Sequence, residues 1–127
     1  MKLALALMLA LAAPVMADHE RAFPDPSVIL VPPPQYDPRV KGAPRATVKY
    51  IPHSQMYAVC SNNGTNPNIG PRVLACAKPS KRLIYLPIGM SIALRNAVLR
   101  HERGHIWGWR HANTTGADVQ ALEIGEH

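Results

Sequence analysis

The sequence is poor in aromatic residues, with one Phe, two Trp and four Tyr among 127 residues, and it contains no internal repeat. Basic residues outnumber acidic ones by 14 to 8, which gives a formal net charge of +6. No aromatic side chains interleave with the densest basic group, as a stacking platform for nucleic acid would need. That group consists of Arg72, Lys78, Lys81 and Arg82. We therefore expect no nucleic-acid partner, and we interpret the charge as favouring solubility and loose attraction to anionic envelope polymers.

Long apolar runs are also missing, apart from one near the N-terminus. Residues 3–13 are uniformly apolar, but this run is too short to cross a bilayer, and no later stretch approaches the roughly 20 residues required. Lys2 precedes the run, and Val15 and Ala17 occupy the −3 and −1 positions of a small-residue cleavage site. The pattern predicts a signal peptide at residues 1–17, with a retained N-terminal anchor as the alternative. We expect a secreted or periplasmic protein of the bacterial envelope, with no integral membrane segment after cleavage. Loss of Lys2 lowers the formal net charge from +6 to +5.

The chain has only two cysteines, Cys60 and Cys76. An even number of cysteines in an exported chain favours a disulfide. The bond would close a loop with 15 residues between the cysteines and would stabilise the fold by roughly 3 kcal/mol in the chain-entropy model. Such a bond matters in a domain too small for a large core. The alternative is that the cysteines bind zinc, although their spacing is far from that of the short pairs in structural zinc sites.

Proline is concentrated in residues 18–46, which contain seven of the 13 prolines. Proline excludes helices and central strands and favours extended polyproline geometry. We therefore expect a semi-rigid arm or spacer here, with a docking peptide for a partner as the alternative. The apolar Val28–Val31 within it is expected to lie against the folded body. The compact domain is predicted to span residues 47–127.

Two segments of this domain have the composition of β-strands. Thr47–Ile51 alternates between apolar and polar residues, and Pro52 limits it to the edge of a sheet or ends it. Residues 82–86 form the second strand, which a proline ends. Between the strands, residues 56–60 fit either a strand or a short helix. Residues 61–71 are rich in Asn, Gly and Pro and are predicted to form a loop.

A helix is predicted from Ser91 to Trp107, with Ser91 as its N-cap and Gly108 as a left-handed C-terminal cap. One face of the helix is apolar at its start, whereas Arg100 and Arg103 are expected to point into solvent. The predicted fold class is α+β, with a few strands packed on one long helix and a proline-rich arm before them. The apolar face consists of Leu94, Ala97 and Val98.

The C-terminal part of this helix contains the most informative pattern, because residues 101–111 match H-E-x-x-H-x-x-G-x-x-H at every fixed position. His101 and His105 lie one helical turn apart, so both imidazoles can reach a single ion. Glu102 borders them and can act as a general base towards a water whose pKa a metal has lowered. Gly108 permits a left-handed turn that returns the chain, so that His111 becomes the third ligand. Three protein ligands leave a fourth position open.

Several assignments around this motif stay open. Asp118 is an alternative to His111 as third ligand. Trp109 either covers the small core or lines a substrate pocket. A peptidase also needs a donor that stabilises the oxyanion. The sequence does not choose among three candidate tyrosines, which are Tyr50, Tyr57 and Tyr85.

These residues resemble the zincin metallopeptidases, and the elongated motif is similar to that of the metzincin branch. The resemblance covers about eleven residues. It implies that His101, His105 and His111 bind Zn²⁺ and that Glu102 is the catalytic base. It also implies that Leu83–Leu86 is the edge strand that aligns an extended peptide by β-addition. Metzincins carry a methionine-containing turn after the third histidine, whereas no methionine follows His111 here. The resemblance is therefore to a minimal zincin.

The expected function is that of an exported zinc-dependent metallopeptidase acting on a peptide or protein substrate. The main alternative is a non-catalytic zinc-binding accessory protein of the envelope or of a secretion system, in which the site serves stability. An amidase acting on peptidoglycan cross-links is a third possibility, which the basic charge and the export signal suggest.

Overall fold

The computed structural model describes residues 23–111 and 118–124. The predicted signal peptide, residues 1–17, lies outside the described residues. No helix among the described residues is long and apolar enough to cross a membrane.

The described residues form a four-stranded mixed sheet with helices packed on it, which confirms the α+β fold class. The strand order is β1-β3-β2-β4. The strand β1 runs parallel to β3, and the other two pairings are antiparallel. The strands are β1 (Thr47–Ile51), β2 (Val73–Lys78), β3 (Leu83–Pro87) and β4 (Gln120–Glu123).

The prediction that Leu83–Leu86 is an edge strand was wrong. This segment belongs to β3, which hydrogen-bonds to β1 on one side and to β2 on the other. Its backbone donors and acceptors are therefore used within the sheet and are not available to a substrate. The edges among the described strands are β1 and β4, so Thr47–Ile51 is confirmed as an edge strand.

The helices are α1 (Pro38–Lys41), α2 (Met56–Cys60) and α3 (Ile92–Ile106). Residues 56–60, for which the sequence allowed either a strand or a short helix, therefore form a helix. Short 3₁₀ turns cover Pro26–Val28, Pro34–Tyr36, His53–Gln55 and Pro79–Lys81. The long helix begins as predicted, because the hydroxyl of Ser91 accepts a hydrogen bond from the amide of Leu94 at 3.2 Å. It ends before Gly108, which has a φ of +116°.

The sheet is covered on both faces because side chains alternate along its strands. Ile84 and Leu86 of β3 pack with Leu94 and Val98 of α3, which confirms the predicted apolar face of the helix. Tyr85, between them in sequence, points to the opposite face. There it packs against a second cluster made by Met56, Cys60, Ile69, Val73 and Cys76.

The predicted disulfide joins Cys60 to Cys76, with 6.0 Å between their Cα atoms. It ties α2 to β2, on the face of the sheet away from α3. Neither cysteine is therefore a free thiol that could act as a metal ligand. A lysine from the same strand adds to this packing, because the Lys78 ammonium donates to the carbonyl oxygen of Val59 at 3.0 Å.

Residues 23–46, called the proline-rich segment below, do not stand away from the domain as a spacer. They run along α3, with Ile29 buried in the main core and Pro32 against Gly104. The segment also contains a helical turn, α1, which the expected exclusion of helices did not foresee. Proline is tolerated there because Pro38 occupies the first helical position and Asp37 caps the turn through the amide of Arg39 at 3.0 Å.

Two further contacts fasten this segment to the helix. The guanidinium of Arg100 donates to both carboxylate oxygens of Asp37, at 2.9 and 2.6 Å. The prediction that Arg100 points freely into solvent was therefore wrong, because its partner comes from a distant part of the chain. The indole of Trp107 donates to the carbonyl oxygen of Gly42 at 2.9 Å.

Candidate metal centre

The end of α3 and the turn after it bring three histidines together. His101 and His105 are fully buried, and their Nε2 atoms face each other at 3.2 Å. His111 completes the group, and one potential ligand atom from each ring lies within 4.8 Å of the others. The structure thus places all three histidines as predicted, in a group that could hold a metal ion.

Hydrogen bonds on the far side of each ring fix the tautomer of the helical pair. The Nδ1 atom of His101 lies 2.8 Å from the carbonyl oxygen of Leu30, and that of His105 lies 2.6 Å from the carbonyl oxygen of Trp109. Because a carbonyl oxygen only accepts, each Nδ1 must carry the ring proton. In the neutral imidazoles, both Nε2 lone pairs therefore point into the space that the rings share.

Two lone pairs at 3.2 Å repel each other unless a cation lies between them. A proton shared between the two rings does not relieve this repulsion near neutral pH, because burial lowers the pKa of His101 to about 4 and that of His105 to about 2. Repulsion from neighbouring imidazolium charges adds to the effect of burial. A metal ion fits these donors, since it binds the neutral ring and needs no proton.

The turn that delivers His111 is built by a Schellman motif. The amide of Gly108 donates to the carbonyl of His105, and the amide of Trp109 donates to that of Gly104, both at 3.0 Å. The positive φ of Gly108 makes this geometry accessible, because a side chain is strained there. The predicted left-handed cap is confirmed, and it reverses the chain within three residues of the third histidine.

Trp109 lies inside the histidine group, which partly answers the question left open for it. Its ring stacks on His105, with 4.7 Å between centroids and 10° between planes, and it meets His101 edge-on at 4.8 Å. The indole therefore holds both imidazoles in place and shields them from water. No described contact assigns it to a substrate pocket.

Glu102 is fully buried beside these residues on α3. Neither carboxyl oxygen has a hydrogen-bond partner among the described residues. Burial raises the pKa of Glu102 well above its ordinary value. An unpaired carboxylate in such a place is costly unless a positive charge lies near it. The group of side chains that could hold a metal ion consists of the three histidines and does not include this carboxylate.

The alternative third ligand does not join the group. Asp118 lies elsewhere, with its carboxylate accepting a hydrogen bond from the amide of Ser80 at 3.2 Å. Two of the candidate tyrosines, Tyr57 and Tyr85, lie with α2 and the disulfide cluster on the far face of the sheet. Tyr50 is on the edge strand β1 and is half exposed.

The groups that orient the histidine rings were missing from the sequence-based prediction. Leu30 and Trp109 act through backbone carbonyl oxygens, which every residue has, so no residue type could have marked them. Leu30 and His101 are also 71 residues apart in the sequence, so their proximity is a property of the folded chain.

Comparison of the chain with protein-family models, curated proteins and solved structures found no match.

Proposed function

We propose that this chain is an exported zinc-dependent metallopeptidase, in which His101, His105 and His111 bind zinc and Glu102 is the general base. One observation carries the proposal. The two helical imidazoles use their Nδ1 protons on carbonyl oxygens and turn bare Nε2 atoms towards each other at 3.2 Å. This arrangement suits a metal ligand pair better than a packed pair of core histidines.

The donor set supports zinc as the metal. Tetrahedral zinc with Zn–N distances of roughly 2.0–2.1 Å keeps its nitrogen ligands roughly 3.3–3.4 Å apart, close to the 3.2 Å between His101 and His105. Three imidazoles and no thiolate are typical of a catalytic site, in which one position is left for water or substrate. Both cysteines are occupied in their disulfide.

Bound zinc would supply a Lewis acid that polarises the substrate carbonyl and lowers the pKa of the attacking water. The part of Glu102 is to accept the proton of that water and to pass it to the leaving amine nitrogen. The positive charge of the metal opposes the effect of burial and so favours the ionised carboxylate that a base requires. Glu102 forms no described hydrogen bond that would give it a structural purpose.

Export rests on two features. Residues 1–17 have the pattern of a signal peptide, and the disulfide is stable in an oxidising compartment such as the bacterial periplasm or the medium outside the cell. We place the protein there and propose that its substrates are peptides or proteins of the same compartment.

One observation favours the non-catalytic alternative, in which zinc serves stability alone. His101, Glu102 and His105 are all completely buried, whereas a hydrolase must admit its substrate to the metal. A zinc-binding accessory protein of the envelope or of a secretion system needs no such access.

Replacing Glu102 with Gln separates the two functions. The variant keeps the shape of the side chain but removes the base. If the chain is a peptidase, Glu102→Gln retains zinc in equal molar amount and loses at least 100-fold in turnover of an unstructured protein substrate. Asp118→Asn is the matched control, because it neutralises an exposed carboxylate away from the histidines and should change neither property.

The wild type is assayed on purified peptidoglycan in parallel. Release of cross-link peptides without cleavage of protein would replace the peptidase with an amidase. A fully zinc-loaded wild type that cuts neither substrate would overturn the enzymatic proposal in favour of the accessory protein.

A further inference from the structure

The third histidine is held by a residue to which no role has yet been given. His111 is in no helix or strand, two residues beyond the Schellman turn that ends at Trp109. Its backbone amide donates a hydrogen bond to the side-chain oxygen of Gln120 at 3.0 Å. Gln120 is the first residue of β4 and is completely buried.

A glutamine is unexpected at this place in a strand. Gln120 and Leu122 are the two buried residues of β4, so both face the interior, and an apolar side chain is the ordinary choice there. Burying an amide is unfavourable unless its polar atoms find partners. The bond to His111 supplies a partner for the oxygen, which connects this buried amide to the third histidine.

The strand gives this contact a rigid base. Gln120 lies opposite Ala77 of β2, and the next pair joins Ala121 to Cys76, so β4 is hydrogen-bonded to a central strand. The amide oxygen of Gln120 is thus fixed to the central part of the sheet. The first two histidines are fixed by α3, so the three histidines are held by two separate elements, the helix and the sheet.

We propose that Gln120 is the positioning residue of the third zinc ligand, acting through the backbone of His111. The inference rests on the proposed metal site but not on peptidase activity. Without the acceptor on β4, the backbone of His111 would lose its bond to the sheet, and its imidazole would be held less firmly towards the helical pair. Loss of such a supporting contact typically weakens metal binding by roughly 10–100-fold.

The test is a double-mutant cycle on zinc affinity, measured in the full mature chain by competition with a chromogenic chelator. Gln120→Met keeps the unbranched shape of the side chain but removes the oxygen. We expect Gln120→Met to weaken zinc binding roughly 10–100-fold when His111 is present, and less than twofold in the His111→Ala background. Gln55→Met, at an exposed turn, is the control and should leave the affinity unchanged.

A second variant guards against a folding defect. Gln120→Asn keeps the amide but is one methylene too short to reach His111, and it should weaken zinc binding in the same direction. Cobalt substitution reports the ligand number independently, through the visible absorption of the bound ion.

The outcomes are distinct. An equal loss of affinity in both backgrounds, or no loss in either, would overturn the role of Gln120 while leaving the metal site in place. If His111→Ala alone leaves zinc affinity unchanged, the third ligand is wrongly assigned, and both the proposed site and this inference fall. Loss of peptidase activity alone touches neither result.

Discussion

Gly104 offers a direct test of how the proline-rich segment lies on the long helix. It occupies a variable position of the histidine motif, so the motif itself places no constraint on it. In the structure, a Cβ atom at Gly104 would lie 2.5 Å from Cγ and 2.8 Å from Cβ of Pro32, and 3.2 Å from the ring of Trp109. The structure therefore predicts that Gly104→Ala is harmful for a reason that the motif does not contain.

Two effects of this substitution oppose each other. Alanine is a better helix former than glycine by about 1 kcal/mol. Overpacking costs roughly 1–3 kcal/mol, and the upper end applies because the ring of Pro32 cannot rotate away from the new methyl group. We expect a net loss of about 2 kcal/mol, which corresponds to a fall in Tm of roughly 8–16 °C for a domain of this size.

The assay is thermal unfolding of the zinc-free chain at neutral pH, followed by far-ultraviolet circular dichroism. Pro32→Gly removes both of the closest atoms and leaves only the 3.2 Å approach to Trp109, so in that background Gly104→Ala should cost at least about 1 kcal/mol less than in the wild type. This difference between the two backgrounds is the decisive result. A Gly104→Ala variant with an unchanged or higher Tm in the wild-type background would show that the segment does not pack on α3 at this point.

Three further outcomes follow from the described contacts. Replacing Cys60 and Cys76 together with Ser should lower the free energy of unfolding by about 3 kcal/mol in urea titrations. Zinc affinity should stay within twofold, because the disulfide lies on the face of the sheet away from the histidines. A loss below 1 kcal/mol would contradict the expected contribution of the disulfide. The pKa of Asp37 is lowered to about 2 by its arginine partner on α3, so the ion pair adds stability above about pH 4 that is lost as the pH falls towards 2. Asp37→Asn should therefore flatten the dependence of Tm on pH between these values. An unchanged dependence would show that the ion pair does not contribute to stability. Gly108→Ala should weaken zinc binding at least tenfold, since φ is +116° at this turn. The control is Gly42→Ala, which is also at positive φ but away from the histidines and should lower stability alone. Equal effects of the two substitutions on zinc affinity would refute the role of the turn.

The parts of the fold that the sequence predicts are those governed by local chemistry. Ser91 and Gly108 mark the ends of α3 because capping depends on a few neighbouring atoms. Thr47–Ile51 has the composition of a strand, and the proline that follows it restricts it to an edge or ends it. The histidine spacing places two ligands one turn apart on any helix, so this part of the site is also foreseeable.

The missed elements depend on pairing between distant residues. Val73–Lys78 is an unbroken apolar run that ends in lysine, which fits a buried strand but shows no alternation. Gln120–Glu123 has only four residues and is a strand because it pairs with that run. The central position of β3 follows from both, since an edge cannot be recognised until every strand is known.

The spacer expected in the proline-rich segment was wrong for a related reason, whereas the expected contact of Val28–Val31 with the folded body is confirmed at Ile29. Proline content describes what the backbone can adopt, and it says nothing of what the backbone lies against. Asp37 could have been paired with any of the 14 basic residues, and its choice of Arg100 across 63 residues is a property of the folded chain.

The three histidines come from eleven consecutive residues, but the groups that hold them come from almost the whole described chain. His101 depends on Leu30 in the proline-rich segment, His105 on the turn that follows its own helix, and the amide of His111 on Gln120 in β4. A metal ion that binds all three imidazoles therefore links the proline-rich segment, the long helix and the edge of the sheet. Because such binding favours the folded state over the unfolded one, zinc is expected to stabilise regions that contain none of its ligands, and most of all those at the two ends of the described chain.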